Sequence, residues 1–524
     1  MNTHQSTQEK TQPTHINLCI MQPPGYIHSL GLLDPARYFR HQLRKAGASV
    51  SLTKNRLRHG AINLVFGAHL DFDPAQRQRH TCIFVNLEQL GAGGAKVSDN
   101  YLKLLRHSAV IDYHPDNLAA YTDYPEDVPI APFVHAPYLE SGAEQPLLPL
   151  NQRPIDLLFF GSMNERRSQL IERIERQGRS VSVFDHPIYG AERDHYIRNA
   201  KAVLNCHFYA SSRFEQVRVS HCLSLGTPVV SERKPHTDPA NCYEEAVSWF
   251  SDDTLESFFS HTFGSPDWLR QAQNQLTHFK QLDATEQFAD ILEFAQGYHL
   301  GHSRHIASDA WEPVRLNLGS GKDYKPGWLN VDILARAEPD LVLDLSQKMQ
   351  LPMAIDSPTC GTVRLRRGQF EKIYANNVLE HVPDLTGLMT QCLDLLAEGG
   401  VFEIEVPHER ALTAWQDPTH IRALNENSWL YYTQWFWYLG WFEHRFEIDS
   451  SSYLDMQLQP CEQARAAFMR LVLKKIPTTP HERTIARTMQ ANWIVPDDEV
   501  PCAQTGVEVA CEGEKTRSDL VTPA

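Results

Sequence analysis

Gly319 and Gly321 flank Ser320 where the apolar alternation Val314, Leu316, Leu318 ends, and an acid, Asp332, closes the next apolar phrase beginning at Trp328. Glycine tolerates positive φ and carries no Cβ, so a strand ending in this pair lets backbone N–H groups reach a ligand. An acid at the tip of the second strand of a doubly wound sheet accepts hydrogen bonds from two ribose hydroxyls. The stretch LNLGSGKDYKPGWLNVD therefore reads as a nucleotide-type cofactor site. Only ten residues separate Gly321 from Asp332. A dinucleotide fingerprint places its acid about twenty residues on, which disfavours NAD.

Further downstream, His381 follows the strand-like run FEKIYANNV on the edge where ligands bind in open α/β sheets, and imidazole titrates near neutrality. It is a candidate general base, or else a residue that caps the next helix. Asn376 and Asn377 share that edge. Asp417, His420 and Arg422, in DPTHIR, could bind or deprotonate a polar acceptor; equally, Asp417 and Pro418 could simply build a turn. The run SWLYYTQWFWYLGWF holds nine aromatic residues in fifteen positions and serves as an acceptor wall or as core.

In the first half of the chain, Arg213, Glu215 and Arg218 surround an expected helix N-terminus, which suits a diphosphate, and Glu232 after the next strand could meet a ribose or sugar hydroxyl. Ser212 to Glu215 also fits an S-x-x-E capping box, so helix stability alone explains Glu215.

The elements that must position these residues alternate between strand and helix. Runs at 16–21, 49–52, 62–66, 82–85 and 109–113 read as strands, with a helix opening at Asp34-Pro35, and a proline-rich stretch from Pro125 to Pro154 marks a boundary. A second alternation follows, with strands at 155–160, 181–184, 202–206 and 228–231. A third holds strands at 314–318, 328–332, 341–345, 370–378 and 401–407. Such alternation implies parallel sheets. The expected division is a disordered start over 1–15, an N-terminal lobe over 16–150 and a second lobe over 151–260. A helical linker over 261–310, a third α/β domain over 311–477 and a mobile tail over 478–524 complete it.

The 524 residues exceed what a single core organises, so two or three domains are expected. A formal charge of -15 argues against non-specific nucleic-acid binding. No apolar run is long enough to span a bilayer and the first residues lack a signal-peptide core, so a cytoplasmic protein without transmembrane segments is expected. The ten cysteines show no zinc-ligand spacing and read as reduced thiols. His299, His302 and His305 form the one even histidine cluster, and no metal is expected.

The series LNLGSG…GWLNVD, LVLDL, LEHV and EGG-VFEIEVP resembles the class I S-adenosylmethionine-dependent methyltransferases over about residues 312 to 477. That resemblance implies that Gly319 and Gly321 border the methionine portion of S-adenosyl-L-methionine and that Asp332 holds the ribose. It places Asp344 and Leu345 near the adenine and Asn376 or Asn377 against the cofactor. The DPTHIR stretch is similar to a loop after the fifth strand in this group. Two Rossmann-like lobes in tandem, the second with SSRFEQVRVSHCLSLGTPVVSE, resemble the donor-binding half of GT-B glycosyltransferases. That similarity implies a nucleotide sugar as co-substrate, although Ser220-His221 stands where many such enzymes have a second glutamate.

The expected protein is thus a methyltransferase acting on a sugar or glycan hydroxyl, fused to a glycosyltransferase-like module. Its catalytic candidates are His381, Asp417 and His420. Two alternatives stay open: an N-terminal half that only binds glycan or acts as a scaffold, and a cofactor domain that works as a sensor.

Overall fold

The computed structural model describes residues 14–141, 146–184, 186–307 and 309–490. The first lobe is a parallel sheet of β1 (His15–Ile20), β2 (Ser49–Lys54), β3 (Ile62–Phe66), β4 (Thr81–Val85) and β5 (Ala109–Ile111), in the order β2-β1-β3-β4-β5. Its central strands β3 and β4, INLVF and TCIFV, are buried at every position. Helices covering both faces of a parallel sheet require such unbroken apolar runs. The second lobe repeats the plan with β6 (Ile155–Phe159), β7 (Val181–Val183), β8 (Ala200–Asn205), β9 (Val229–Glu232) and β10 (Ser248–Phe250), ordered β10-β9-β8-β6-β7 and parallel throughout.

The third unit holds eight strands in one sheet. β11 (Arg315–Leu318), β12 (Leu329–Asp332), β13 (Leu341–Val342), β16 (Phe370–Asn376) and β17 (Leu396–Pro407) run parallel. β18 (His444–Leu454), β19 (Pro460–Cys461) and β20 (Phe468–Pro477) complete it antiparallel, giving the order β13-β12-β11-β16-β17-β20-β18-β19. A separate hairpin is formed by β14 (Met353–Ser357) and β15 (Gly361–Leu365). Sequence order reverses at β11, which has β12 on one side and β16 on the other. In open α/β sheets the carboxyl edge at such a switch point is where ligands bind. The mixed α/β class with Rossmann-like parallel sheets matches the expectation.

Several elements differ from the sequence-based expectation. The helices Pro266–Phe279 and Thr285–His302, expected as a linker, place Phe279, Phe288, Ile291 and Ala295 in the core shared by the two lobes. Thr285–His302 packs back on the first lobe, against the helix Leu33–Lys45 and against β3 and β4. The segment expected as a mobile tail opens with the helix Pro480–Gln490, whose Ala486 is fully buried in the third core. A short amphipathic stretch gains order there from the groove that receives it, since helical stability comes mostly from tertiary packing. Residues 491–524, and nearly all of the expected disordered start, lie outside the described residues.

β20 carries a buried lysine: Lys475 Nζ donates to the carbonyls of Leu393 (2.7 Å) and Leu396 (2.8 Å) at the C-terminus of the helix Leu385–Leu395. A cation suits the negative end of a helix and satisfies carbonyls that the helix itself leaves open.

The third unit abuts the first lobe through its hairpin and the loop after β12. His80 Nε2 lies 2.6 Å from the Thr359 carbonyl, His59 N–H donates to Pro358 O (3.2 Å), and Arg56 donates to Ala337 O (2.8 Å) while its guanidinium lies over the Tyr324 ring. The eight cysteines among the described residues are free thiols. No described helix is long and apolar enough to cross a membrane.

Candidate functional site

At the switch point, the loop after β11 turns through Gly319 (φ 62°) and Gly321 (φ 46°). A Cβ on Gly319 would lie 2.4 Å from Val378 Cγ2, so this position must stay glycine for room as well as for conformation. No helix intervenes before β12; the loop with Pro326 makes the crossing alone. Asp332, at the tip of β12, is buried, and its two carboxylate oxygens each accept one backbone N–H: Oδ2 from Gly321 (2.8 Å) and Oδ1 from Leu334 (2.8 Å). A carboxylate offers about four lone-pair sites, so each oxygen retains acceptor capacity. Beneath it, buried Asp340 accepts from Asn330 N–H and Nδ2 and from the Tyr324 hydroxyl, which fixes the loop to the second strand.

Asp344, just past β13, is exposed and accepts from the Ser346 hydroxyl and N–H, which hold its carboxyl below the usual range. Leu345 is buried in the core, so it anchors this loop and presents no side-chain surface. Asn377 sits exposed in the left-handed region (φ 51°), with its N–H donated to Glu405 O and its side chain to Asn376 Oδ1.

The structure brings His381 and His420 together, ring centroids 4.7 Å apart and edge to face. Beside them lies a residue that sequence did not single out. Glu380 is 2% exposed, and neither carboxylate oxygen has a hydrogen-bond partner; its Oε1 is 3.9 Å from His420 Nε2. Burial pushes its pKa up to about 7, only partly countered by its own backbone N–H and by His420. In sequence Glu380 was one more letter of LEHV; only the segment 414–422 folding over it, with Ile421 N–H donated to Glu380 O, makes it a buried acid.

Asp417 does not reach this cluster directly. It accepts from Thr419 N–H (2.8 Å) and hydroxyl (2.6 Å), and the same hydroxyl oxygen lies 3.0 Å from His381 Nδ1. Because that hydroxyl's proton points to Asp417, its oxygen accepts from His381 Nδ1–H. Asp417 is thus connected to His381 through Thr419. Arg422, a candidate acceptor ligand, donates to the carbonyls of Val382 and Pro383 and staples the two loops. The aromatic run divides its labour: Trp429, Tyr432, Phe436 and Trp441 are buried core, while Tyr431, Trp435 and Tyr438 form an exposed cluster of tilted and edge-to-face rings.

A cleft of about 740 Å³ lies between the two N-terminal lobes. Glu215 and Arg218 line it, together with Arg167, Arg193 and His221. The capping box does not form: Ser212 has φ 52°, the helix Gln216–Ser224 begins after it, and Glu215 pairs with Arg167 (3.0 Å) and Arg218 (2.7 Å). Two guanidinium groups hold this carboxylate where a capping box would have it accept the backbone N–H of Ser212. Arg218 keeps one buried N–H group, on Nη1, without a partner.

Arg213 and Glu232, the other two candidates, do not line the cleft. Arg213 is buried and donates to Asn117 Oδ1 and Asp116 O of the first lobe, and Glu232 is 1% exposed, ion-paired with Arg166 and Lys234. His221, standing in the place of the second glutamate, lies 2.8 Å from Asp194 Oδ1. His299 and His302 face the first lobe from the helix Thr285–His302, beside Thr81 Oγ1 and Arg77 O.

Residues 266–455 match a family model described as a methyltransferase domain. Among curated proteins, the chain is 28% identical over 161 residues to uncharacterized protein L140 of Acanthamoeba polyphaga mimivirus, covering 30% of this chain and 50% of that protein. It is 26% identical over 160 residues to uncharacterized protein L137 of the same virus, covering 29% and 21%. The chain thus spans half the length of the first relative and about a fifth of the second. Among solved structures, an S-adenosylmethionine-dependent methyltransferase from Mesorhizobium loti aligns at 15% identity and TM-score 0.21, over 34% of this chain and 97% of that one. AviGT4, a glycosyltransferase involved in avilamycin A biosynthesis, aligns at 16% identity and TM-score 0.39, over 55% of this chain and 99% of that one.

Proposed function

We propose that the chain is an S-adenosylmethionine-dependent methyltransferase that methylates an oxygen of a sugar or glycan acceptor, with a nucleotide-sugar site in its N-terminal cleft. The observation that carries the first part is the Asp332 carboxylate, fixed by Gly321 and Leu334 N–H groups at the switch point with acceptor capacity left on both oxygens. It stands within the segment that matches a methyltransferase domain. These residues fit the cofactor: Asp332 would hold the ribose hydroxyls, Gly319 and Gly321 would leave the backbone accessible to the methionine portion, and Asp344 would lie by the adenine.

When bound, S-adenosylmethionine supplies a methyl group on a positively charged sulfur. The chain's own task is alignment of the acceptor and disposal of its hydroxyl proton. His381, with Nδ1–H committed to Thr419, presents Nε2 as the free lone pair, and Glu380 and His420 stand beside it. The choice of a sugar hydroxyl follows from the neighbouring cleft, where Arg218 and the helix beginning at Gln216 offer N–H donors to a diphosphate. Two of the four expected sugar-nucleotide residues are spent on structural pairs, which favours a second reading for this half: a module that binds a glycan without transferring it.

Calorimetric titration of the full chain with S-adenosylmethionine, with NAD and nucleotide sugars as comparators, tests both parts. Binding of S-adenosylmethionine that disappears in Asp332→Ala is the expected result. A folded protein that ignores S-adenosylmethionine would remove the methyltransferase proposal, and turnover of a nucleotide sugar would remove the non-transferring module.

A further inference from the structure

We infer that Glu380, His381 and His420 form a binding site for one divalent transition-metal ion, open to an acceptor hydroxyl. One ligand atom from each residue lies within 4.8 Å of the others. Tetrahedral ligands at zinc-like distances stand about 3.4 Å apart, so modest side-chain rotations close the set. Glu380 Oε1 and His420 Nε2, at 3.9 Å, are nearly there already.

Three observations single out a cation. Glu380 is 2% exposed and both its oxygens lack a hydrogen-bond partner, with His420 Nε2 facing Oε1 only at 3.9 Å, whereas buried carboxylates are otherwise closely paired or hydrogen-bonded. His420 Nδ1 faces the Ala414 carbonyl at 3.0 Å, and His381 Nδ1 faces the Thr419 carbonyl and hydroxyl oxygens. Both imidazoles are thereby held as the tautomer whose Nε2 lone pair is free, the arrangement that metal-ligating histidines adopt. Asp417 completes an outer shell by fixing Thr419.

Two imidazoles and one carboxylate favour zinc, iron, cobalt or manganese over magnesium, which prefers all-oxygen coordination. Three protein ligands leave positions open, as in catalytic sites. An acceptor hydroxyl bound there would be acidified. As its oxygen bonds to the methyl carbon and the carbon–sulfur bond breaks to a neutral thioether, its proton passes to water; with the ion bound, His381 is a ligand and no longer the base. This catalytic use rests on the methyltransferase proposal; ion binding does not.

The test uses the full chain, stripped with a chelator and titrated with Co²⁺ while visible absorption is followed. One equivalent of Co²⁺ with d–d bands, displaced by Zn²⁺ and not by excess Mg²⁺, is expected. Glu380→Gln and His420→Ala should weaken it by at least about a hundredfold and Asp417→Asn by about tenfold. His381→Ala, at a half-exposed position, serves as the ligand variant if a buried change disrupts folding, checked by circular dichroism. Co²⁺ uptake equal in wild type and in a folded Glu380→Gln/His381→Ala variant would overturn the site. Calorimetry with S-adenosylmethionine on the same samples separates the two proposals. Cofactor binding without the cobalt signal removes the ion alone, and cobalt binding without cofactor removes the methyltransferase alone.

Discussion

The cleft between the N-terminal lobes and the edge of the third sheet treat charge in opposite ways. In the cleft, acids meet arginine: Glu215 pairs with Arg167 and Arg218, and Asp34 with Arg193, leaving over the buried Nη1 of Arg218. At the sheet edge the surplus is of acceptors, with two bare oxygens on Glu380 and spare lone pairs on Asp332. Spare donors call for an anion, while spare acceptors call for hydroxyls or a cation. The contrast assigns different ligand chemistry to two surfaces built on the same kind of sheet.

The sharpest way to break this contrast is Asp332→Ala. Loss of two charge-assisted hydrogen bonds should weaken S-adenosylmethionine at least about a hundredfold while leaving the cleft's ligand untouched. Calorimetry with each ligand reads both, and a parallel fall in nucleotide binding would mean that the two sites are one. Next in size, Lys475→Met should destabilise the third unit by about 2 kcal/mol, because two helix-terminal carbonyls lose a charged donor. Thermal unfolding followed by tryptophan fluorescence should show that transition shift without the cleft losing ligand.

Arg218→Ala should weaken uridine diphosphate binding by about tenfold, roughly one charge-assisted hydrogen bond, without change for S-adenosylmethionine. Unchanged diphosphate affinity would leave the spare Nη1 without a role. The smallest effect concerns acid stability. Burial alone would raise the Glu426 pKa, but its own backbone N–H, Tyr453, His408 and Gln463 outweigh burial and bring it to about 2, below the ordinary 4.5. A depressed folded-state pKa gives stability that is present above about pH 4.5 and lost as pH falls toward 2. The thermal midpoint of the wild type should therefore drop more steeply over that window than that of Glu426→Gln.

Much of the fold was legible because covered parallel strands are unbroken apolar runs, as in INLVF and LNL, and because glycine and acid mark their ends. β18 was not, since HRFEIDSSSYL near the sheet's edge exposes most of its side chains, and β20 hides its alternation behind a lysine that the helix end requires. At the site, the glycine turn and Asp332 lie eleven residues apart, close enough to read as one phrase. Glu380 and His420 are forty apart, and nothing in their neighbours says that one loop covers the other. Arg213 and Glu232 had the right types at a promising place, but both are buried and are claimed by Asn117, Arg166 and Lys234. Such pairing is invisible until the lobes are assembled.

The return of the helix Thr285–His302 onto the first lobe means that the backbone passes between the two lobes twice. A body held by one tether can swivel in any direction, whereas two tethers attached at separate points leave it one easy axis, like a door on a pair of pins. Opening of the cleft should therefore be a single swing. The first lobe's contacts to Thr359 and Ala337 would make the third unit travel with the frame and not with the door.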